Sequence, residues 1–243
     1  MTTPHLKINL CRNLLSSWEH LFSLFLPHTC LVCTAPIERQ DGYICPNCWK
    51  SLPLYPDRSR QPFRTLRGVL DHLWIGWNYD HNLSRIVHFF KYQQRPELAE
   101  ALVEHWLKVV SQADELNQFD VLLPVPIHPA RKRWRGFNQS ELLALSLSRR
   151  LNIPMSPDHV IRIINTPSQT KLTREERWRN VAKAFHLHEP QYFLDQRVLI
   201  VDDLATSGAT LHALGALTRN CGAAAVSAAV ITSSAVDEQV SVS

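Results

Sequence analysis

The sequence predicts an α/β domain with a mainly parallel sheet, preceded by a small cysteine-rich module, and three observations carry that reading. Strand-like and helix-like segments alternate between Leu73 and Ile231, the pattern of parallel strands joined by crossover helices. The apolar run Val198-Leu199-Ile200-Val201 leads into two carboxylates, Asp202 and Asp203, and then a hydroxyl-rich turn around Gly208. Four of the 6 cysteines stand in two Cys-x-x-Cys pairs, Cys30/Cys33 and Cys45/Cys48.

With 243 residues the chain has room for one sizeable core and a small appendage. Its 45% hydrophobic and 20% charged content is ordinary for a soluble globular protein, and the net charge of +4 leans toward an anionic partner. No run reaches the ~20 apolar residues of a membrane span. Residues 6–26 come closest, but Arg12, Ser16, Ser17, Glu19 and His20 interrupt them, and no small-residue cleavage site follows. Leu10, Leu14, Trp18, Leu21 and Phe25 fall at helical spacing, so residues 1–27 are expected to form an N-terminal helix packed on the protein itself. A cytoplasmic location is the default expectation.

Residues 28–52 form the cysteine module. Each Cys-x-x-Cys pair places two thiolates on one side of a tight turn, and two such turns complete a tetrahedral zinc site. Eleven residues separate the pairs, fewer than the ~15–20 common in such modules, which predicts a compact knuckle or ribbon with a turn at Asp41-Gly42. A redox role needs one Cys-x-x-Cys in a βαβ context, and disulfides conflict with the cytoplasmic expectation. Cys30, Cys33, Cys45 and Cys48 are therefore expected to hold structural zinc, with Cys11 and Cys221 as ordinary cysteines outside the site.

Residues 53–68, with Pro53, Pro56, Pro62 and several arginines, read as a linker. Leu73, Ile75, Trp77 and Tyr79 alternate as in a strand, and Leu83, Ile86, Val87 and Phe90 then switch to helical spacing as far as Lys91-Tyr92. A second helix follows from Leu98, Ala101, Leu102, His105 and Val109, and a strand from Phe119 to Val125. Residues 138–151 read as a helix capped by Asn138 or Ser140. Strands at 197–201 and 223–231, with a helix near 209–220 between them, complete the domain over 69–232, and residues 233–243 read as a tail.

The segment from Asp202 to Thr210 combines a strand end, a hydroxyl-rich turn and a helix N-terminus. Free backbone N–H groups and the helix dipole favour a phosphate there, with hydroxyls from Thr206, Ser207 and Thr210 as further donors. Gly208 lets a ligand approach the backbone closely. The two carboxylates would repel a bare polyphosphate but suit a sugar phosphate, whose hydroxyls they accept. No Gly-Lys-Ser/Thr is present, so a Walker A loop is excluded. Two basic stretches accompany this cradle, Arg131-Lys132-Arg133-Trp134-Arg135 and the 166–180 segment with Lys171, Arg174, Arg177 and Arg179. Arginine forks bind phosphate oxygens bidentately, and Trp134, Phe137 and Trp178 interleave with the cations as stacking platforms for nucleic acid would.

The Asp202–Thr210 segment resembles the phosphoribosyl pyrophosphate (PRPP) motif of type I phosphoribosyltransferases. Together with PVPIHPARKRWRGFNQSELLA, TPSQTKLTREERWRNVAKAF, LSRIVHFFKY and the upstream cysteine pairs, it makes residues 24–231 similar to the ComF/GntX family. HFFKY stands where Leu-Lys-Tyr is commoner, and Ala-Thr-Ser-Gly where Thr-Thr-Gly is commoner. The resemblance implies a type I phosphoribosyltransferase-like fold, a zinc module, and a role in competence, DNA uptake and transformation. It implies that Asp202 and Asp203 hold the ribose while Leu204, Ala205, Thr206, Ser207, Gly208, Ala209 and Thr210 hold the 5′-phosphate. Arg131, Arg135, Lys171 and Arg179 are the expected pyrophosphate contacts, and magnesium is expected to accompany PRPP. The alternative is a non-catalytic PRPP sensor that contacts single-stranded DNA or other competence proteins. Convergence of the cations on the acid pair favours a transferase; a stripe running past it favours the sensor.

Overall fold

The computed structural model of the chain describes residues 28–38, 42–56, 64–93, 95–110, 113–165 and 184–234. The expected N-terminal helix, Cys11, Lys171, Arg179 and the tail beyond Ser234 lie outside the described residues. The chain divides into two compact units, Met1–Ser51 and Leu52–Ser243. Among the described residues no helix is long and apolar enough to cross a membrane.

In the first unit β1 (His28–Thr29) pairs antiparallel with β2 (Pro36–Ile37), and α1 (Pro46–Ser51) follows. The turn between the strands closes through Thr34 N–H to Cys30 O and Cys30 N–H to Ala35 O, both 2.9 Å. Leu31 N–H donates to Tyr43 O at 2.9 Å, which draws the second cysteine pair against the first. Gly42 adopts φ 70°, the left-handed turn geometry expected of it.

The second unit contains β3 (Leu73–Asn78), α2 (His81–Tyr92), α3 (Leu98–Val109) and β4 (Val121–Pro124). Then come α4 (Pro129–Arg135), α5 (Gln139–Leu151), β5 (Val160–Arg162) and β6 (Phe185–Leu187). The last elements are β7 (Arg197–Ala205), α6 (Ala209–Asn220) and β8 (Ala225–Ser233). Four strands form one sheet in the order β3-β8-β7-β4, all parallel, with Leu73 beside Ala228, Leu199 beside Ser227 and Val121 beside Val198. Val198 and Ile200 of β7 join Leu211 and Leu214 of α6 in one core, while Leu199 and Val201, of the other parity, are buried as well. A sheet covered on both faces requires this near-continuous apolar run. The Trp106 indole donates to Val230 O at 2.8 Å, and a Cβ on Gly76 would stand 2.6 Å from the same ring. Only a glycine leaves room there.

Caps set the helix starts. Asp80 Oδ1 accepts from Leu83 N–H at 2.8 Å, and Asn138 Oδ1 accepts from Ser140 N–H at 3.2 Å.

Four features differ from the sequence expectation. β7 extends through the acid pair to Ala205, because its pairing with β8 continues through Asp202–Val230, Leu204–Thr232 and Ala205–Ser233. Leu204 and Ala205 are thus strand residues rather than part of the turn. The basic stretch around Arg131–Arg135 is a helix, started by Pro129 and the His128 side chain and ended by Gly136 at φ 89°. The short antiparallel pair β5–β6 was not expected. Within the segment read as a linker, Leu54 bridges to Trp77, and Tyr55 and Leu66 are buried in the core of this unit.

Candidate functional site

The four cysteine sulfurs lie within 4.8 Å of one another, and Cys33 Sγ stands 3.9 Å from Cys45 Sγ. Thiolates around zinc at about 2.3 Å make a tetrahedron with edges of about 3.8 Å, so the spacing fits the metal. Val32 and Cys45 each direct an N–H at Cys30 Sγ at 3.4 Å, and Cys48 N–H points at Cys45 Sγ at 3.4 Å. Burial pushes the Cys30 thiol up, but these amides and that of Cys33 outweigh it and hold its pKa down at about 6. Cys48 is driven the other way, by burial and by its three neighbouring thiols. Four adjacent thiolates need a cation among them, and this all-sulfur set suits zinc with no position left open for substrate.

In the second unit Asp202 and Asp203 are both buried near the C-terminal end of β7. Ser140 Oγ donates to Asp202 Oδ1 at 2.9 Å, and Asp203 N–H donates to the same oxygen at 2.9 Å. Lys91 Nζ, at the end of α2, stands 2.5 Å from Asp203 Oδ2. Burial, then the charge of Asp203, pushes Asp202 up to about 7, against the pull of Lys91, Ser140 and the Asp203 amide. For Lys91, burial disfavours the ammonium, yet Asp203 and then Asp202 more than offset it and raise its pKa above the ordinary lysine value.

The raised Asp202 pKa has a stability consequence. The native state binds this proton more tightly than the unfolded chain, so the contribution is complete below about pH 4 and is lost as pH rises through about 7. The ligand-free protein is therefore expected to melt at lower temperature at pH 8 than at pH 5, with a flatter dependence in Asp202→Asn. Identical pH profiles of the two melting curves would refute the assignment.

Beyond the acid pair, Thr206 is exposed, Ser207 and Thr210 are half-buried, and Ser207 Oγ accepts from Ala209 N–H at 3.5 Å. Gly208 caps α6 at φ 73°, and Ala209 opens the helix, whose first amides have no intrahelical acceptor. Arg131 and Arg135 lie one turn apart on α4 and are half-buried, whereas Lys132, Arg133 and Trp134 are exposed. Arg135 Nη1 donates to Gln139 Oε1 at 2.6 Å, and its guanidinium sits 5.3 Å from the Tyr92 ring centre. Burial and then Arg135 lower the Arg131 pKa, and Arg135 also acts against the Lys91 ammonium. Lys91 thus contacts the acid pair directly, and Arg135 is joined to Gln139, the neighbour of the Asp202 partner Ser140, with Arg131 one turn before it on α4. Arg135 Nε and Gln139 Nε2 are buried without a hydrogen-bond partner among the described residues, and buried donors of this kind call for an acceptor.

Lys91, Ser140, Gln139 and Arg162 were missed by sequence reasoning. Ser140 was expected as an alternative cap; Asn138 takes that role, which frees the serine hydroxyl for Asp202. Lys91-Tyr92 carried the one available signal, a basic residue and an aromatic closing a helix. Arg162 lies in a three-residue strand with no motif around it; it is 8% exposed, and burial and then Arg131 depress its pKa while Asp202 opposes them.

Residues 138–241 match the phosphoribosyl transferase domain, and residues 21–59 match the double zinc ribbon domain. The DNA utilization protein YhgH of Escherichia coli (strain K12) is 32% identical over 221 residues, covering 84% of this chain and 96% of that protein. Competence protein F of Haemophilus influenzae is 30% identical over 214 residues, 82% of this chain and 93% of its own length. Competence protein ComFC of Bacillus subtilis is 28% identical over 203 residues, 81% of this chain and 80% of its own. An N-terminal double zinc ribbon with a four-cysteine cluster, a phosphoribosyl transferase domain and relatives matched over nearly their whole length place the chain in the ComF/YhgH competence protein family.

Proposed function

We propose that the protein binds PRPP with magnesium at the Asp202–Thr210 segment and transfers its phosphoribosyl group, in the service of DNA uptake or use. The observation that carries this reading is the ion pair of Lys91 with Asp203 at the end of β7, where Ser140 holds Asp202 and the adjacent Gln139 accepts from Arg135. Asp202 and Asp203 accept the ribose hydroxyls. The turn from Thr206 to Thr210 and the first amides of α6 hold the 5′-phosphate. Arg135, with its unpartnered Nε and the Gln139 amide, and Arg131 receive the pyrophosphate. Asp202 and Asp203 are a hard oxygen donor set that would suit magnesium, which would supply neutralisation of the substrate's negative charge. An acceptor lone pair forms a bond to the anomeric carbon, and the carbon–oxygen bond to pyrophosphate breaks with its electrons leaving on that oxygen. Catalysis of this kind rests on positioning and on stabilising charge.

A phosphorus NMR time course of Mg·PRPP with the full chain tests the reading. Broadened or shifted PRPP signals are expected, and unaltered signals at a protein excess would sink it. Pyrophosphate release with a new nucleotide signal, on adding a pool of bases, marks a transferase. Binding without release favours the sensor reading, which draws on the outward face of α4, where Trp134 is 70% exposed beside Lys132 and Arg133.

A further inference from the structure

Helix α2 ends on Phe90, Lys91 and Tyr92, and each of these side chains has a fixed place. Phe90 is fully buried, with its ring centre 6.1 Å from that of Phe137, the residue just before the Asn138 cap of α5. Tyr92 meets Trp134 edge-on at 5.8 Å and carries the Arg135 guanidinium 5.3 Å from its ring centre. These contacts hold the last turn of α2 against α4 and the start of α5. Between them Lys91, with a side chain only 20% exposed, sets its Nζ 2.5 Å from Asp203 Oδ2. The Asp203 side chain is 12% exposed, and its N–H donates to Asp202 Oδ1 at 2.9 Å. Ser140 Oγ donates to that same Asp202 oxygen. An amide and a hydroxyl thus serve Asp202, and an ammonium serves Asp203.

Resting on the PRPP reading above, we propose that Lys91 is the resident cation of the acid pair. It takes the place on Asp203 that a divalent ion would occupy, so the ribose 5-phosphate end of the ligand is recognised without metal. Neighbouring carboxylates suit magnesium or manganese, ions that one or two such groups can hold. An ammonium at hydrogen-bond distance from Oδ2 fills one of those positions and offsets the negative charge that would draw the ion in. The two cations also differ in what they must give up. Magnesium sheds its waters reluctantly. The Lys91 ammonium is already largely out of water, on a helix turn that Phe90 and Tyr92 anchor, so its ordering is completed on folding. The C-terminal end of a helix favours a cation on its own account. Lys91 acts through Asp203 and is a positioning residue: it fixes the direction of that carboxylate while the ribose hydroxyls donate to the pair. Metal is then confined to the pyrophosphate end of PRPP.

The probe is ribose 5-phosphate, which carries the hydroxyls and the 5′-phosphate but no pyrophosphate. It is titrated by NMR into the full zinc-loaded chain, in buffer passed over a chelating resin before the protein is added, and again with magnesium. The two affinities are expected to agree within about twofold. Lys91→Met should weaken metal-free binding by about tenfold or more, the value of one charge-assisted contact, and magnesium should restore much of the loss. Lys91→Arg should keep part of the metal-free affinity. Water-proton relaxation with manganese reads the same exchange without any sugar. Lys91→Met should gain a manganese site that wild type lacks, and adding Asp203→Asn should remove it. If Lys91→Met fails to fold, the wild-type titrations decide by themselves. A wild-type chain that needs magnesium to bind ribose 5-phosphate, or that holds manganese at a site lost in Asp203→Asn, overturns the proposal. So does a Lys91→Met chain with unchanged sugar binding and no new manganese site, which would make the ion pair purely structural. The two readings fail separately. Binding of Mg·PRPP alongside any of those results removes the Lys91 assignment alone. Failure to bind either PRPP or ribose 5-phosphate removes the PRPP reading, while a manganese site gained in Lys91→Met would still mark Lys91 as the cation of the pair.

Discussion

Replacing Asp202 and Asp203 together by asparagine is expected to weaken Mg·PRPP binding by roughly 100- to 10,000-fold. Each carboxylate contributes a charge-assisted hydrogen bond to a ribose hydroxyl, at about 1.5–3 kcal/mol apiece, so two amount to about 3–6 kcal/mol. The single substitutions separate function from folding. Asp202→Asn removes a buried carboxylate that sits beside another, and at pH 8 it should raise the melting temperature of the ligand-free protein. Asp203→Asn removes the partner of Lys91, leaving a largely buried ammonium beside Asp202 alone; a lower melting temperature is expected. Both singles should weaken PRPP binding. Calorimetric titration and thermal melts measure the two quantities independently. Retention of affinity in the double variant would remove the acid pair from the site, and stability changes of the same sign in both singles would refute the charge arrangement.

Cys30→Ser is the second large effect, a fall from one bound zinc per chain to none. Cys30 Sγ is the buried sulfur on which the Val32 and Cys45 amides converge, so its loss removes both a thiolate and the anchor of the two turns. Binding of structural zinc in small modules is worth roughly 10–16 kcal/mol and doubles as folding energy. Among the described residues, the first unit has little else to hold it: two-residue strands and one helix of six residues. Metal analysis should find no zinc, and limited proteolysis should open the chain within residues 28–51. Cys221→Ser is the control. Cys221 lies outside the cluster, and its substitution should leave the zinc content intact. A metal-free Cys30→Ser protein with residues 28–51 still resistant to protease would show that zinc does not organise this module.

The parts of the site that were legible in the chain are those whose members are close neighbours in it. The two cysteine pairs, the adjacent carboxylates and the turn running into α6 each occupy a short stretch, and backbone geometry alone brings their atoms together. Arg131 and Arg135 were also named as candidates from the sequence, though their helix was not expected. The α4 segment buries no residue completely, so no apolar period marks it, and its caps at His128 and Gly136 make it helical. β7 was read as ending at the first carboxylate because the apolar run stops there; hydrogen bonding to β8 carries it on.

Apolar periodicity and motif spacing were sufficient to recover an α/β domain, the cysteine cluster and the position of the acid pair, because each reports a local demand: which side chains must leave water, and which neighbours share a turn. The charge partners of that pair could not be read this way. Ser140 lies 62 residues from Asp202, and Lys91 and Arg162 come from elements on either side in sequence. Their approach depends on the order in which strands join the sheet and on where each helix ends. The titration of Asp202 follows from burial and from those neighbours together, so only the assembled tertiary structure could decide it.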